Sequence, residues 1–250
     1  MSKKLFIFLL IAVMALSVTT VVYAKRATKG APEFVPQLAE KELQKVVFIR
    51  YAPDYKGARV CNNDGVCDTN ENPSCADCKK DGDEEPPADT SCYDFLSGSK
   101  PKWNTTEPFV YNDLGLGQSS ESAVVTWEEV TSADIIGTGS MGQADWGVYD
   151  YTNSITYGDY AEEGVIGVTA IWFRGKNIYE YDIMYDNDYF PNDGLIDLDT
   201  VVLHEVGHAV GLGDLYDTTC TSEVMYGIYD GVDLGLGDGD IQGMQTLYGI

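Results

Sequence analysis

The chain holds two histidines, His204 and His208, four residues apart in the run His-Glu-Val-Gly-His-Ala-Val-Gly-Leu-Gly-Asp. On an α-helix, residues four apart differ by about 40° around the axis and about 6 Å along it. Both imidazoles therefore leave one face and can bind a single tetrahedral cation. Two histidines placed at random in a chain this long fall four apart only about one time in a hundred. Glu205 is displaced around the helix from the pair, which suits a general base acting on a metal-bound water better than a ligand. A catalytic zinc ordinarily keeps three protein ligands and one open position, so a third is needed. Gly211, three residues past His208, lets the chain leave the helix in a left-handed or extended turn. Asp214, three residues further, can return under the ion, with Asp217 as the competing candidate. The plain alternative is a histidine pair on an ordinary polar helix face.

The elements that must carry these groups can be read from periodicity. Asp197 or Asp199 caps a helix running through Gly211, on which Leu203, Val206 and Val210 recur at three and four residues and point into a core. Ahead of it, Val165 to Phe173 and Ile178 to Tyr185 are rich in β-branched and aromatic residues. They are separated by Arg174-Gly175-Lys176-Asn177 and read as adjacent antiparallel strands. Ser119 to Val130 places Ala123, Val124, Trp127 and Val130 on one helical stripe, with Ser119 or Ser120 as cap. A last helix, Asp240 to Tyr248, ends at Gly249. The expected class is α+β.

Charge divides the chain. Residues 1–102 hold 14 Lys and Arg against 14 Asp and Glu, whereas residues 103–250 hold only Arg174 and Lys176 against 26 carboxylates, the whole net charge of −24. So acidic a surface repels phosphate and excludes nucleic acid as a partner, while cations are welcome. Lys3 and Lys4, an apolar run from Leu5 to Val18 and the close Val22-Tyr23-Ala24 read as a signal peptide over 1–24, the alternative being a retained anchor. In an exported chain six cysteines mean disulfides first. Cys61, Cys67, Cys75 and Cys78 make a cysteine-rich module over about 61–80 in which two bridges replace a core. Cys92 and Cys220 remain, and their pairing would tie the start of the last domain to a loop near its end. Residues 25–60 carry eight basic and four acidic side chains and one strand-like run, Lys45 to Arg50. This stretch is either a pro-segment that docks on the acidic domain or a spacer. Residues 81–100 read as a linker, and a domain over 101–250 follows.

Within that domain the zinc-helix run resembles the elongated signature of the metzincin metalloendopeptidases, and Glu223-Val224-Met225-Tyr226-Gly227 resembles their methionine turn. The matrixins are the most similar subgroup: Asp238 to Gly249 is similar to their closing helix, Ala123 to Val130 to their first helix, and Ile178 to Asp186 to the strand before the active-site helix. The resemblance implies a twisted sheet of about five strands, mostly parallel, with one antiparallel edge strand above the cleft and a small C-terminal subdomain. It implies zinc held by His204, His208 and Asp214, Glu205 as base, and Met225 as a structural floor. Extended peptide would pair with the edge strand at Gly164, Val165 and Ile166. Val224 to Tyr229, with Tyr226, would form part of the pocket for the side chain after the scissile bond. The activity implied is hydrolysis of protein or peptide substrates by an exported, monomeric zinc endopeptidase that is not membrane-inserted once its signal is cleaved.

Two departures stand out. Matrixins use histidine where this chain has Asp214, whereas the snapalysin-like metzincins use aspartate there, and no Pro-Arg-Cys-Gly latency motif precedes the domain. Asp186, Asp188, Asp193, Asp197 and Asp199 in one loop region, and Asp230, Asp233, Asp238 and Asp240 in another, are close enough in sequence to share structural calcium, which matrixins commonly carry. Generic acidic solvation is the alternative for each. A different class of function, a catalytically silent, calcium-stabilised surface or adhesion module on the same scaffold, gives Glu205 nothing to do.

Overall fold

A computed structural model describes residues 42–53, 92–143, 145–191, 194–232 and 235–250, all within one unit spanning Glu40–Ile250. In chain order the elements are β1 (Gln44–Tyr51), β2 (Glu107–Tyr111), α1 (Leu114–Glu128), β3 (Ile136–Met141), β4 (Asn153–Gly158), β5 (Val165–Arg174), β6 (Asn177–Asp186), α2 (Leu198–Ala209) and α3 (Asp238–Tyr248). A 3-10 turn, Thr218–Cys220, lies between the last two helices. The expected signal peptide, the cysteine-rich module and most of the 25–60 stretch lie outside the described residues.

The strands form one mixed sheet in the order β1-β5-β6-β4-β2-β3. β2, β3, β4 and β6 pair in parallel, whereas β5 is antiparallel to β6 on one side and to β1 on the other. The α+β class holds, with six strands where about five are expected. β5 is buried along all but its last residue because both of its faces are covered. One face of the sheet meets α1 and α2 through a core containing Trp127, Tyr181, Ile183, Val201 and Val206. On the other face Val165, Val168 and Met184 form a smaller cluster against Ile49 and Trp146.

The predicted edge strand is not an edge. The family resemblance leaves the outer backbone groups of Gly164, Val165 and Ile166 to a substrate, but β1 takes that row. Its register runs from Gln44 opposite Phe173 to Tyr51 opposite Val165, and Ala52 N–H donates to the Gly164 carbonyl at 2.8 Å. An exposed row of N–H and C=O groups is satisfied by any strand that reaches it, and here the chain supplies its own.

Two other boundaries shift for physical reasons. α1 starts a turn and a half before Ser119, capped by Asp113, whose carboxylate accepts the Leu116 N–H at 3.0 Å. Gly115 and Gly117 are poor helix formers and hide that first turn in the sequence. The serines near the predicted start bond back into the helix, Ser120 Oγ donating to the Leu116 carbonyl at 2.7 Å. Residues 92–100 are part of the folded body, not linker, because they pair with the exit of α2. Phe95 bridges Leu212, Gly213 N–H donates to the Asp94 carbonyl, and Leu96 is buried.

The Cys92–Cys220 disulfide forms as expected and spans 128 residues. A loop of that size restricts the unfolded chain strongly, by up to about 5 kcal/mol in the chain-entropy picture. Replacing both cysteines by serine is expected to lower Tm by roughly 10 °C in a calorimetric melt. A shift within about 2 °C would show that the closed loop contributes little.

Candidate metal centre

α2 is built to hold its polar face still. Asp197 caps it, accepting from Thr200 N–H and hydroxyl, both at 2.8 Å. Three aromatic side chains donate to its carbonyls: Trp127 Nε1 to Leu203 at 2.8 Å, Trp103 Nε1 to Ala209 at 2.8 Å and Tyr248 Oη to Val210 at 2.8 Å. The last two carbonyls belong to the helix end, where the backbone would otherwise be unpaired. Gly207 faces Met225 and Trp127 so closely that a Cβ there would overlap the Met225 sulfur. The methionine turn therefore sits directly under the helix, with Met225 buried.

The chain then leaves the helix at Gly211, whose φ of +116° a side-chain-bearing residue rarely adopts. The turn is fixed by Gly211 N–H to the His208 carbonyl at 2.9 Å and Leu212 N–H to the Gly207 carbonyl at 3.0 Å. It returns Asp214 to the histidines. Asp214 Oδ1 lies 3.1 Å from His204 Nε2 and 3.4 Å from His208 Nε2, and the three ligand atoms fall within 4.8 Å of one another. A tetrahedral zinc with bonds of about 2.0–2.1 Å keeps its ligand atoms roughly 3.3 Å apart. The other candidate, Asp217, goes elsewhere: it caps the 3-10 turn, accepting the Thr219 N–H at 2.8 Å.

The tautomers argue for a cation in this space. His204 Nδ1 lies 2.7 Å from the Val224 carbonyl and His208 Nδ1 3.0 Å from the Leu212 carbonyl. A carbonyl can only accept, so each Nδ1 donates and each neutral ring turns an Nε2 lone pair inward. Two lone pairs and a carboxylate oxygen then face one another, an arrangement that only a proton or a metal ion relieves. Burial, with Arg50 nearby, pushes the His204 imidazole down to about 3. Burial also works against a charged His208, but Asp214 and Glu205 outweigh it and hold that ring up, so proton and metal compete for one position. Asp214, despite its burial, is held well below the usual carboxylate range by His208 and His204. Its Oδ2 accepts from Tyr216 Oη at 3.1 Å.

Glu205 is wholly buried beside this cluster. Its Oε2 accepts from the Thr169 hydroxyl of β5, while Oε1 has no hydrogen-bond partner. Burial raises its pKa. An orphaned buried carboxylate oxygen is costly and marks a place where something polar belongs.

Of the predicted peptide-binding residues, Gly164 and Val165 contribute backbone to the β1 ladder, and the Ile166 side chain faces the core. Tyr226 presents its carbonyl to Arg50 Nη1 at 3.2 Å. Phe48 and Arg50 are residues of the site that sequence reasoning did not single out: the Phe48 ring stacks on His208 with centroids 3.9 Å apart, and Arg50 is buried. The strand-like run Lys45 to Arg50 was their only signal.

The acidic loops look different from a shared cation site. Asp186 accepts from Tyr160 N–H and Asp188 N–H, and Asp240 from Val224, Met225 and Gly237 N–H, tying the start of α3 to the methionine turn. Asp193 and Asp233 lie outside the described residues. Among the described residues, His204, His208 and Asp214 are the group whose ligand atoms converge. No helix among them is long and apolar enough to cross a membrane.

Karilysin of Tannerella forsythia is similar to this chain, 29% identical over 168 residues that make up 62% of the chain and 34% of karilysin. The chain thus spans about a third of karilysin's length. The family model for Matrixin, a peptidase family, matches residues 112–249, more than half of the sequence. That match takes in α1, α2, the convergent histidines and aspartate, the methionine turn and α3, and the chain belongs to the matrixin family.

Proposed function

We propose that the protein is an exported, monomeric zinc endopeptidase, with His204, His208 and Asp214 holding the metal and Glu205 as general base. The observation that carries this reading is the convergence of three acceptor atoms beside a buried carboxylate whose Oε1 is unpartnered. When bound, zinc supplies Lewis acidity toward a peptide carbonyl and makes a water more acidic. Glu205 does the proton work. Thr169 fixes Oε2, so Oε1 is the oxygen free to take a proton from water and return it to the departing amine. The raised pKa of Glu205 brings it nearer the operating range of a shuttle. His204 and His208 stay oriented by the Val224 and Leu212 carbonyls, and Met225 supports the helix from below. A silent scaffold would have no use for the orphaned oxygen. Structural calcium is the further part of the proposal, supported by the number of carboxylates in the two acidic loops and not by any convergence of their ligand atoms among the described residues.

One experiment separates the two metals. After treatment with a chelator, casein hydrolysis is expected to vanish and to return with zinc but not with calcium. Calcium should restore only the melting temperature. Hydrolysis that persists through chelation would overturn the zinc reading, and a melt indifferent to calcium would remove the calcium sites.

A further inference from the structure

We propose that Tyr216 is a positioning residue for the metal. Its hydroxyl holds one oxygen of Asp214, which leaves that carboxylate a single oxygen for the ion, and Gly227 of the methionine turn is the seat that brings the Tyr216 ring there. This deepens the zinc reading and rests on it.

The need for such a residue lies in the chemistry of the third ligand. A histidine that gives one ring nitrogen to a metal has a single further nitrogen to satisfy, whereas a carboxylate has two oxygens, either or both of which can bind a cation. Attachment through both would crowd the position that a three-ligand zinc site keeps open. Asp214 divides its oxygens. Oδ1 lies 3.1 Å from His204 Nε2 and 3.4 Å from His208 Nε2, while Oδ2 accepts from Tyr216 Oη at 3.1 Å. Each of the three ligands thus has an outer partner: the Val224 carbonyl for His204, the Leu212 carbonyl for His208 and the Tyr216 hydroxyl for Asp214. The first two are backbone groups fixed by their turns. The third is a side chain and needs its own support.

That support comes from the methionine turn. Leu215 N–H donates to the Met225 carbonyl at 2.9 Å and Gly227 N–H to the Leu215 carbonyl at 2.8 Å, so the segment after Asp214 runs parallel to the turn, with Leu215 opposite Tyr226. One residue on from each, Tyr216 lies against Gly227. A Cβ on Gly227 would stand 2.6 Å from Tyr216 Cε1, 2.8 Å from Cζ and 3.0 Å from Oη, closer than ordinary contact permits. Gly227 is not among the glycines at positive φ, so what it supplies is room for the ring and not backbone freedom. The same turn therefore carries Met225 under the helix, orients His204 through Val224 and seats the tyrosine that orients Asp214.

The test compares the full chain with its Tyr216→Phe variant, well below the melting temperature of both, by competition for zinc with a chromophoric chelator and by the visible spectrum of the cobalt(II)-loaded protein. Phenylalanine keeps the ring and removes only the hydroxyl. Zinc should bind about tenfold more weakly, because Asp214 is no longer held in place. Its released oxygen should turn toward the ion, raising the coordination number and weakening the cobalt bands, which are strongest in four-coordinate sites. A residue that merely supports the fold would lower Tm and move neither readout. Zinc affinity within about twofold of wild type would overturn the proposal, and so would an unchanged cobalt spectrum. Gly227→Ala reaches the same hydrogen bond from the other side: the added methyl displaces the ring, so affinity should again fall about tenfold, and adding Tyr216→Phe should cost less than about threefold more. Fully additive losses would overturn the role of Gly227 as seat. Should Tyr216→Phe fail to fold, Gly227→Ala decides by the same two readouts. Wild-type protein that takes up no zinc would sink the zinc reading itself, whereas equal uptake by wild type and variants would sink only the role of Tyr216.

Discussion

Glu205→Gln is expected to lower kcat/KM for casein by about 10²–10⁴, the range that one proton-transferring side chain contributes, while zinc content stays at the wild-type level. Glutamine keeps the size of the side chain and can still accept from Thr169 through its amide oxygen. The group left facing the metal side is then an N–H₂ donor, which cannot take a proton. Because Glu205 is not one of the three groups whose ligand atoms converge, metal retention separates loss of the base from loss of the site. Atomic absorption and initial rates on the same sample are sufficient. A variant retaining more than about a tenth of wild-type activity would show that another group moves the proton.

Asp214→Ala is expected to weaken zinc binding by more than about 100-fold, beyond what removal of an outer hydrogen-bond partner costs. It removes one of three ligand atoms and the only negative charge among them. Asp217→Ala should leave affinity unchanged, because that carboxylate caps the 3-10 turn. Competition with a chromophoric chelator measures both, and reversed outcomes would exchange the two aspartates' roles. Asp214→His probes the charge itself. A neutral third ligand leaves more positive charge on the ion and a more acidic water, so the acid limb of the pH–rate profile should move down. An unmoved limb would mean that the anionic ligand does not set that pKa.

How legible these groups were depended on whether their spacing was local. The histidine pair, Glu205, Gly211 and Asp214 lie within eleven residues of one helix and its exit, so helix geometry alone brought them together on paper. The β5–β6 hairpin was equally plain, since Val165 to Tyr185 is dense in β-branched and aromatic residues around a short turn. β3 and β4 were not foreseen: Ile-Gly-Thr-Gly-Ser-Met and Asn-Ser-Ile-Thr-Tyr-Gly carry little alternation, and their pairing is parallel and remote in sequence. The strand at Lys45 to Arg50 could be seen, but its place could not, because nothing local tells a strand which of several edges it will join. The tautomers of His204 and His208 depend on carbonyls at Val224 and Leu212 that only the folded turns deliver.

The proposed function requires a single zinc ion between His204, His208 and Asp214. Anomalous diffraction across the zinc absorption edge, on crystals of zinc-loaded protein, tests it most directly. One peak is expected about 2.0–2.2 Å from both Nε2 atoms and one Asp214 oxygen, with no direct bond to Glu205. A loaded crystal with no peak there, or a peak bonded to Glu205 or Asp217 in place of Asp214, would contradict it.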